Sequence, residues 1–456
     1  MDKHTILKIK NIVGSQHVVE SYEERVCYSY DGTVQRGIPA LVVFPGSTQE
    51  VAKLVKLANE EGFAIFPRGA GTGLSSGSVP QDMGIALVLT RLNKIKEISK
   101  EDLLAVVEPG VVTEVFHKAV EKEGLFYPPD PASLKTCTLG GNVAENAGGP
   151  RAFKYGVTKD YILGLEVVTP QGEIMRTGGR TVKNVTGYDL TRLLVGSEGT
   201  LGIITEITVR LLPKPQAMQT ALAIYDRIDD AAKTVTSIIY QGILPATLEL
   251  MDQTTIHCVE NYLKMGLPLD AQAILLIEVD GSPFQVAEDI KKVKDACLQN
   301  GCRTVQIAAE AAERDLLWKA RRAVSSAIVQ LKPTKISEDA TVPRSKIPEM
   351  IKRLRVIAEK YQLYLPVFGH AGDGNLHPNI VADKRDHEEM ERVEMAIGEI
   401  FRAALDLGGT LSGEHGIGLM KKPYLKWETG VVGLNYMKAI KDAVDPKGVL
   451  NPGKMF

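Results

Sequence analysis

Three features that mark other classes of protein are missing from this 456-residue sequence. Positive charge is not in excess, because 54 Lys and Arg residues face 56 Asp and Glu residues and leave a formal net charge of -2, too little to attract a nucleic acid. No apolar run is long enough to cross a membrane. The start, MDKHTILKIKNIVG, carries scattered charges and predicts an amphipathic helix, not a secretory signal. We therefore expect no nucleic-acid partner and no transmembrane segment.

Cysteine is scarce and poorly arranged for cross-links or clusters. The five cysteines are odd in number and include no C-x-x-C pair, which argues against a disulfide framework and against a ligated iron–sulfur cluster. We interpret them as reduced thiols of a cytoplasmic protein, with peripheral attachment to a membrane through a partner as the alternative. They are Cys27, Cys137, Cys258, Cys297 and Cys302.

The chain is too long for a single hydrophobic core, so its length favours two or three domains. From Pro39 a β-α-β unit is predicted, whose helix begins after Ser47 or Thr48 and ends at Gly62. A second alternation of strands and helices begins after Pro215, with helices over residues 229–242 and roughly 284–300. The pattern predicts an α+β fold with an N-terminal helical segment, two domains and a C-terminal segment of little periodicity that returns to the first domain. Their ranges are 1–36, 37–214, 215–409 and 410–456.

A glycine-rich segment, PRGAGTGLSSG at residues 67–77, follows a predicted strand. Without Cβ atoms the backbone N–H groups can approach a diphosphate closely. The segment has neither the lysine of a Walker motif nor the glycine spacing of a Rossmann helix. A flexible glycine loop remains the alternative for this segment taken alone.

Further motifs connect the glycine segment to a known family. They are PPDPAS at 128–133, TLGGNVAENAGG at 138–149, NVTGYDL at 184–190, GSEGTLGI at 196–203 and DPKGVLNPGK at 445–454. Together they resemble the vanillyl-alcohol oxidase and p-cresol methylhydroxylase (PCMH) superfamily, and within it the glycolate oxidase D-subunit, D-lactate dehydrogenase and D-2-hydroxyglutarate dehydrogenase branch. The resemblance runs from about residue 38 to 456. It implies a two-subdomain, PCMH-type FAD-binding domain and an α/β substrate (cap) domain with an antiparallel sheet.

The same resemblance implies the cofactor contacts. Members with covalent flavin carry a histidine in the glycine loop where this chain has Thr72, so we expect non-covalent FAD. The implied contacts are Pro67, Arg68, Gly69, Ala70, Gly71, Thr72, Gly73, Leu74, Pro129, Asp130, Ser133, Leu139, Gly140, Gly141, Ala144, Gly148, Gly149, Tyr155, Gly156, Glu198, Gly202, Ile203 and Asn451.

The stretch GHAGDGNLHPN at 369–379 predicts a β-hairpin that brings His370 and His377 opposite each other. Two imidazoles with the carboxylate of Glu414 could bind a metal, although a single histidine is more often a hydrogen-bonded core or loop residue. The resemblance implies a divalent-metal site of these three residues, with His415 as general base. Zinc is the first choice, and iron, manganese or cobalt are alternatives.

Arg321 occupies a motif whose arginine clamps a substrate carboxylate in the resembling proteins. Its neighbour Arg322 leaves open which of the two faces inward, and an exposed charged pair is the alternative. Asn379 is implied as a substrate or supporting contact. The chain departs from the family at a lysine position, where Ser337 stands and Lys335 lies two residues earlier.

The resemblance implies a dehydrogenase that oxidises a small 2-hydroxy acid, D-lactate or glycolate, and passes electrons to an electron-transferring flavoprotein or iron–sulfur subunit. Alternatives are a D-2-hydroxyglutarate dehydrogenase and an electron-relay subunit without a substrate. A metal-dependent hydrolase would leave the flavin motifs unexplained.

Overall fold

A computed structural model of the protein describes residues 1–81 and 84–456. The chain forms two compact units, and each is discontinuous in sequence. The first consists of Met1–Gly148, Val157–Lys214 and Glu414–Phe456, and the second of Gly149–Gly156 and Pro215–Gly413.

Strands and short pairing segments are numbered in chain order. The strands are β1 (Val18–Val19), β2 (Leu41–Val43), β3 (Ile65–Arg68), β4 (Ile85–Val88), β5 (Ile95–Ser99), β6 (Leu104–Val107), β7 (Leu125–Phe126), β8 (Ile162–Val168), β9 (Ile174–Gly178), β10 (Ile203–Arg210), β11 (Leu212–Pro213), β12 (Ala217–Tyr225), β13 (Thr247–Asp252), β14 (Ala273–Gly281), β15 (Cys302–Ile307), β16 (Thr334–Ser337), β17 (Ala340–Thr341), β18 (Val367–His370) and β19 (Asn375–Ala382).

Helices are numbered in the same way. They are α1 (Lys3–Val13), α2 (Tyr22–Val26), α3 (Thr48–Glu61), α4 (Thr113–Lys122), α5 (Leu139–Glu145), α6 (Ala152–Tyr155), α7 (Leu190–Leu194), α8 (Ile228–Tyr240), α9 (Gln253–Leu263), α10 (Pro283–Gln299), α11 (Ala311–Ile328), α12 (Ile347–Tyr361), α13 (His387–Asp406) and α14 (Leu425–Val444). None of the helices in the described parts of the chain is both long and apolar enough to cross a membrane.

Among its described residues, the first unit contains two larger sheets and a two-stranded pairing of β7 with β11. In one, β2, β4 and β3 are parallel and β1 pairs antiparallel with β2; the other is antiparallel, in the order β5-β6-β10-β8-β9. The predicted helix of the β-α-β unit is confirmed: the Ser47 hydroxyl accepts from the Glu50 N–H, and Gly62 ends the helix in the left-handed region, where glycine is favoured.

A return of the chain completes the parallel sheet from far away in sequence. Leu450 forms a parallel bridge with Ile65, with hydrogen bonds from Ile65 N to the Val449 carbonyl and from Asn451 N to the Ile65 carbonyl, each 2.8 Å long. Val449 and Leu450 are buried in the same hydrophobic cluster as α1 and α3. The C-terminal residues are therefore part of the core of the first unit.

The second unit is built on an eight-stranded antiparallel sheet in the order β15-β12-β14-β13-β18-β19-β16, with β17 also paired to β19. Helix α11 presents Trp318, Arg321, Val324 and Ile328 as buried residues, three or four positions apart and hence on one face. The apolar members of this face share a cluster with Ile274 and Phe368 of the sheet. An arginine is thereby carried into the layer between helix and sheet.

The C-terminal segment contains a helix that its lack of periodicity did not indicate: α14 occupies twenty of its residues. Among those twenty, all of which the structure describes, Leu425 is the buried one. The helix thus lacks the apolar stripe by which amphipathic helices are identified. It is also interrupted at Gly430, whose φ of 65° and ψ of 178° are not helical.

Candidate functional site

The predicted hairpin of the two histidines is present as β18 and β19. The sequence predicted that the two histidines lie opposite each other, and this register is wrong. His370 pairs with Asn375, and His377 pairs with Phe368. This places them diagonally on one face of the sheet, with ring centroids 5.0 Å apart and ring planes at 87°. Both are buried, so the hairpin brings the two predicted metal ligands together.

A carboxylate that the motifs did not identify lies beside His370. Glu249 is its cross-strand partner on β13, and Glu249 Oε1 is 2.6 Å from His370 Nδ1. The other oxygen, Oε2, accepts from Arg321 Nε at 2.6 Å and lies 2.5 Å from Arg321 Nη2. Burial opposes ionisation of Glu249, but Arg321 and His370 outweigh it and hold the pKa of Glu249 below its ordinary value.

The structure distinguishes the two adjacent arginines. Arg321 is buried and stacks over the ring of Phe368, with its guanidinium carbon 4.7 Å from the ring centroid. Arg322 is exposed and lies over the Trp318 ring. Arg321 is thus the arginine that lies next to the histidine pair.

Two further polar side chains flank His377. Asn379 is fully buried, and its Nδ2 donates to the His377 carbonyl at 2.8 Å. Asp339, also fully buried, accepts from Ser412 Oγ at 3.1 Å and from Gly413 N at 2.7 Å, and its other oxygen lies 3.9 Å from His377 Nδ1. Asp339 therefore fixes the segment that leads directly into Glu414 and His415.

Within the second unit, ring nitrogens of His370 and His377, two of the three predicted metal ligands, lie within 4.8 Å of each other. The third predicted ligand, Glu414, and the predicted base, His415, begin the last segment of the first unit. Together these residues make the predicted ligand set. Two imidazoles and a carboxylate suit zinc, iron or manganese.

In the first unit, the residues after His415 lie against the glycine-rich segment. A Cβ at Gly418 would overlap the Ser75 carbonyl, and a Cβ at Gly416 would overlap the Glu145 carboxylate. Both glycines have positive φ, 82° at Gly416 and 48° at Gly418. Glycine is therefore required at both positions to bring this segment against the glycine loop.

Two buried glutamates, Glu145 and Glu198, lie under this segment. Glu198 accepts from the N–H groups of Ile417 and Gly418, both at 2.7 Å, which favours its charged form. Burial, with the neighbouring Glu198 and Asp31, raises the pKa of Glu145 well above its ordinary value. Burial raises the pKa of Glu198 too, but the hydrogen bonds from Ile417 and Gly418 oppose that rise.

The first unit contains most of the predicted cofactor contacts, and its buried polar atoms fit a large polar ligand. The oxygens Ser75 Oγ, Asp31 Oδ2, Glu145 Oε2 and Asn451 Oδ1 are buried without a partner among the residues that the structure describes. Unpaired buried polar atoms are costly, and FAD offers many donors and acceptors. Asn451 Nδ2 donates hydrogen bonds to the carbonyls of Gly77 and Glu198, at 3.0 and 2.7 Å.

Some predicted contacts have a supporting position or belong to the other unit. The Arg68 guanidinium donates to the Tyr30 carbonyl at 2.7 Å, and a Cβ at Gly71 would overlap it, so Arg68 lies under the loop. Gly149, Tyr155 and Gly156 belong to the second unit. There the Tyr155 hydroxyl donates to Asp280 at 2.8 Å.

Sequence reasoning missed Glu249, although a signal was available. It stands between Leu248 and Leu250 in β13, all of whose residues are buried. An acid flanked by buried leucines must be paired. The spacing of α11 likewise favours Arg321 over Arg322, because Arg321 shares the face of Trp318 and Val324.

The chain is similar to known flavin-linked proteins over nearly its whole length. Residues 39–178 match the family described as FAD binding domain, and residues 214–455 match the family described as FAD linked oxidases, C-terminal domain. A glycolate oxidase subunit of Bacillus subtilis is 51% identical over 447 residues, 98% of this chain and 95% of its own. A D-lactate dehydrogenase of Anaerostipes hadrus is 38% identical over 91% of this chain and 89% of its own.

The solved structure of p-cresol methylhydroxylase with substrate bound aligns over 99% of this chain and 96% of that chain, with a TM-score of 0.84 at 18% identity. This likeness confirms the predicted PCMH-type fold. With the matches over both parts of the sequence, it shows that the chain belongs to the family of FAD-linked oxidases.

Proposed function

We propose that the protein is an FAD-dependent dehydrogenase that oxidises a small 2-hydroxy acid, D-lactate or glycolate, to the 2-oxo acid. The observation that carries the proposal is the buried Arg321 beside the His370 and His377 pair. A buried guanidinium binds the carboxylate of a 2-hydroxy acid. A cation held by the two imidazoles would bind the adjacent hydroxyl of the same substrate. Relatives named glycolate oxidase subunit and D-lactate dehydrogenase support this substrate class.

Each residue has a role in the proposed reaction. Arg321 binds the substrate carboxylate and orients the α-carbon. His370, His377 and Glu414 hold a divalent cation, which when bound lowers the pKa of the substrate hydroxyl. His415 accepts the hydroxyl proton, and Asn379 supports His377. Bound FAD supplies the acceptor for the α-hydride.

Electrons leave through a partner protein in this proposal. All five cysteines are free, and their spacing offers no iron–sulfur ligand set. We propose an electron-transferring flavoprotein or an iron–sulfur subunit as acceptor, in line with a relative that is itself named a subunit. The free thiols also support the proposed cytoplasmic location.

A second substrate class is favoured by one observation. Lys335 Nζ lies 2.6 Å from the hydroxyl of Ser325, and Ser325 is one helical turn beyond Arg321 on α11, hence on the same side of the helix. A second cation there would suit a second carboxylate. The alternative substrate is therefore a dicarboxylic 2-hydroxy acid such as D-2-hydroxyglutarate.

Anaerobic flavin reduction tests the proposal. Purified protein is mixed with D-lactate, L-lactate, glycolate or D-2-hydroxyglutarate, and loss of the oxidised-flavin absorbance is followed with time. We expect reduction by D-lactate or glycolate and a loss of reduction after chelation, with FAD retained because the two sites use different residues. Flavin that no 2-hydroxy acid reduces would leave only the electron-relay alternative.

Two variants separate metal binding from proton transfer. His377→Ala should reproduce the effect of the chelator, with metal lost in elemental analysis. His415→Ala should keep the metal and substrate binding while flavin reduction slows by roughly 10²–10⁴, the range for loss of a positioned general base. Full activity of metal-free wild-type protein would remove the metal from the mechanism and leave His415 and Arg321.

A further inference from the structure

We infer that Glu249 is a positioning residue that sets both the protonated nitrogen of His370 and the orientation of Arg321 through one buried carboxylate. The inference deepens the proposed function and rests on it for the metal and substrate roles of those two residues. Three contacts of 2.5 to 2.6 Å within the second unit carry it.

The first step concerns the tautomer of His370. An ionised carboxylate only accepts hydrogen bonds, so the His370 Nδ1 that lies 2.6 Å from Glu249 carries the hydrogen. In a neutral imidazole the lone pair is then on Nε2. Nε2 is therefore the atom of His370 that can bind a cation, and a carboxylate behind it makes the imidazole a better ligand.

The second step concerns the guanidinium of Arg321. Glu249 Oε2 accepts from Nε and lies 2.5 Å from Nη2, so the side of the guanidinium that carries Nε is taken. The ring of Phe368 covers one face. The N–H groups left for a substrate are those of Nη1 and the outer hydrogen of Nη2, and a substrate carboxylate must approach them end-on.

The third step is that one rigid group serves both neighbours. Glu249 is paired in register with His370 between β13 and β18, and its side chain is fully buried. Its two oxygens are 2.6 Å from the two partners and cannot move independently. Displacement of the carboxylate therefore changes the cation ligand and the substrate clamp together.

Glutamine at position 249 cannot replace the carboxylate, because its amide has one accepting oxygen and one donating nitrogen. If the oxygen faces Arg321, the amide N–H faces His370 Nδ1 and favours the other tautomer. If the oxygen faces His370, two donors face each other at Arg321. A matched control is Glu278→Gln on β14: Glu278 is also buried and bonds Trp318 of α11 at 2.9 Å and Thr220 at 2.7 Å.

The experiment compares wild type, Glu249→Gln and Glu278→Gln by three measurements. Metal affinity is measured by Zn²⁺ competition with a chelator, and KM and kcat for D-lactate and glycolate are measured at saturating Zn²⁺. The tautomer of His370 is read from its ¹⁵N shifts in metal-free protein, with His370→Ala to assign the signal. For Glu249→Gln we expect affinity lower by about 10–100-fold, a higher KM at saturating metal and a change in the His370 tautomer, with Glu278→Gln close to wild type.

Wild-type Zn²⁺ affinity and an unchanged His370 tautomer in Glu249→Gln would overturn the inference. Equal losses in Glu278→Gln would also overturn it, since they would show a general effect of buried acids in this sheet. If Glu249→Gln does not fold, Glu249→Asp keeps the charge but withdraws the carboxylate by one methylene, and the same losses are expected in smaller measure. Failure of the proposed function is seen separately: wild type would then neither bind Zn²⁺ nor reduce its flavin, while the His370 tautomer would still decide the role of Glu249.

Discussion

At the scale of single residues, the second unit contains a buried ion pair. Glu249 and Arg321 are both buried, and each is the principal partner of the other. Breaking such a pair by removal of one partner typically costs about 3–5 kcal/mol, because the remaining charge stays buried. A substitution that removes either charge is therefore expected to lower the free energy of unfolding as well as to change activity.

We expect Arg321→Lys to raise KM and lower kcat for the 2-hydroxy acid together. A lysine keeps the positive charge but cannot bond Glu249 and the substrate carboxylate through a planar fork. Loss of one hydrogen bond between charged groups, about 1.5–3 kcal/mol, corresponds to roughly 10–100-fold in kcat/KM. Steady-state kinetics with a soluble electron acceptor measure the effect.

Arg322→Lys is the matched control for this prediction, since Arg322 is the exposed neighbour on the same helix. Its kinetics should equal those of wild type. If Arg322→Lys shows the loss and Arg321→Lys does not, the assignment of the substrate clamp is wrong.

The predictability of the site also varies by residue. His370, His377 and Glu414 could be named from sequence, because they belong to two short glycine-containing motifs, GHAGDGNLHPN and SGEHG. The burial of Glu249 could be suspected from its apolar neighbours, but its role could not, since that role arises from strand pairing with a partner 121 positions away. The register of β13 against β18 depends on tertiary structure, and no local sequence pattern specifies it.

At the scale of elements, the N-terminal capping residue of helix α9 is a buried aspartate, Asp252. Asp252 is buried and its carboxylate accepts from the Thr255 N–H at 2.8 Å. Burial outweighs the hydrogen bonds from Thr255 and raises the pKa of Asp252 from 3.8 to about 6. The folded state therefore binds this proton more tightly than the unfolded state.

The sign of the resulting pH dependence follows from linkage. The stabilisation by the Asp252 proton is complete below pH 3.8 and is lost as the pH rises through about 6. Asparagine caps a helix as well as aspartate and does not titrate. We expect Asp252→Asn to gain stability relative to wild type between pH 4 and 7, by up to about 3 kcal/mol for a shift of about two pKa units.

Urea unfolding of both proteins at several pH values in this interval measures the difference. A difference in the free energy of unfolding that does not change with pH would contradict the prediction. It would assign the effect to packing at the N-terminus of α9 rather than to titration of Asp252.

Helices could be predicted from the sequence where buried apolar residues recur at helical spacing. Helix α3 was predicted with its ends because a capping serine, an amphipathic stretch and a terminal glycine follow in order. Helix α14 was not, because its residues lie mostly at the surface and its sequence includes Gly430 and Gly433. A helix that buries almost nothing leaves no pattern of apolar residues.

At the scale of the whole molecule, the proposed FAD cradle is assembled from distant segments, among them the glycine loop, α5, Glu198 and Asn451. No histidine stands at Thr72 to attach the flavin. We expect acid or urea to release all FAD into the supernatant, and added FAD to raise the melting temperature, as a ligand of the folded state does. Flavin that precipitates with the polypeptide would contradict non-covalent binding.

The bridge between Ile65 and Leu450 bears on the order in which the protein can form during synthesis. Asn451, which follows Leu450, donates from its side-chain Nδ2 to the carbonyl of Gly77, 374 residues away. At translation rates of about 5–20 residues per second, the glycine loop waits roughly 20–75 s for the segment that completes its surroundings. The second unit ends at Gly413, so its whole sequence leaves the ribosome before the first unit is complete. The portion of the chain that is made first is therefore the last to reach its native core, and during that interval its unfinished parallel sheet is available to chaperones.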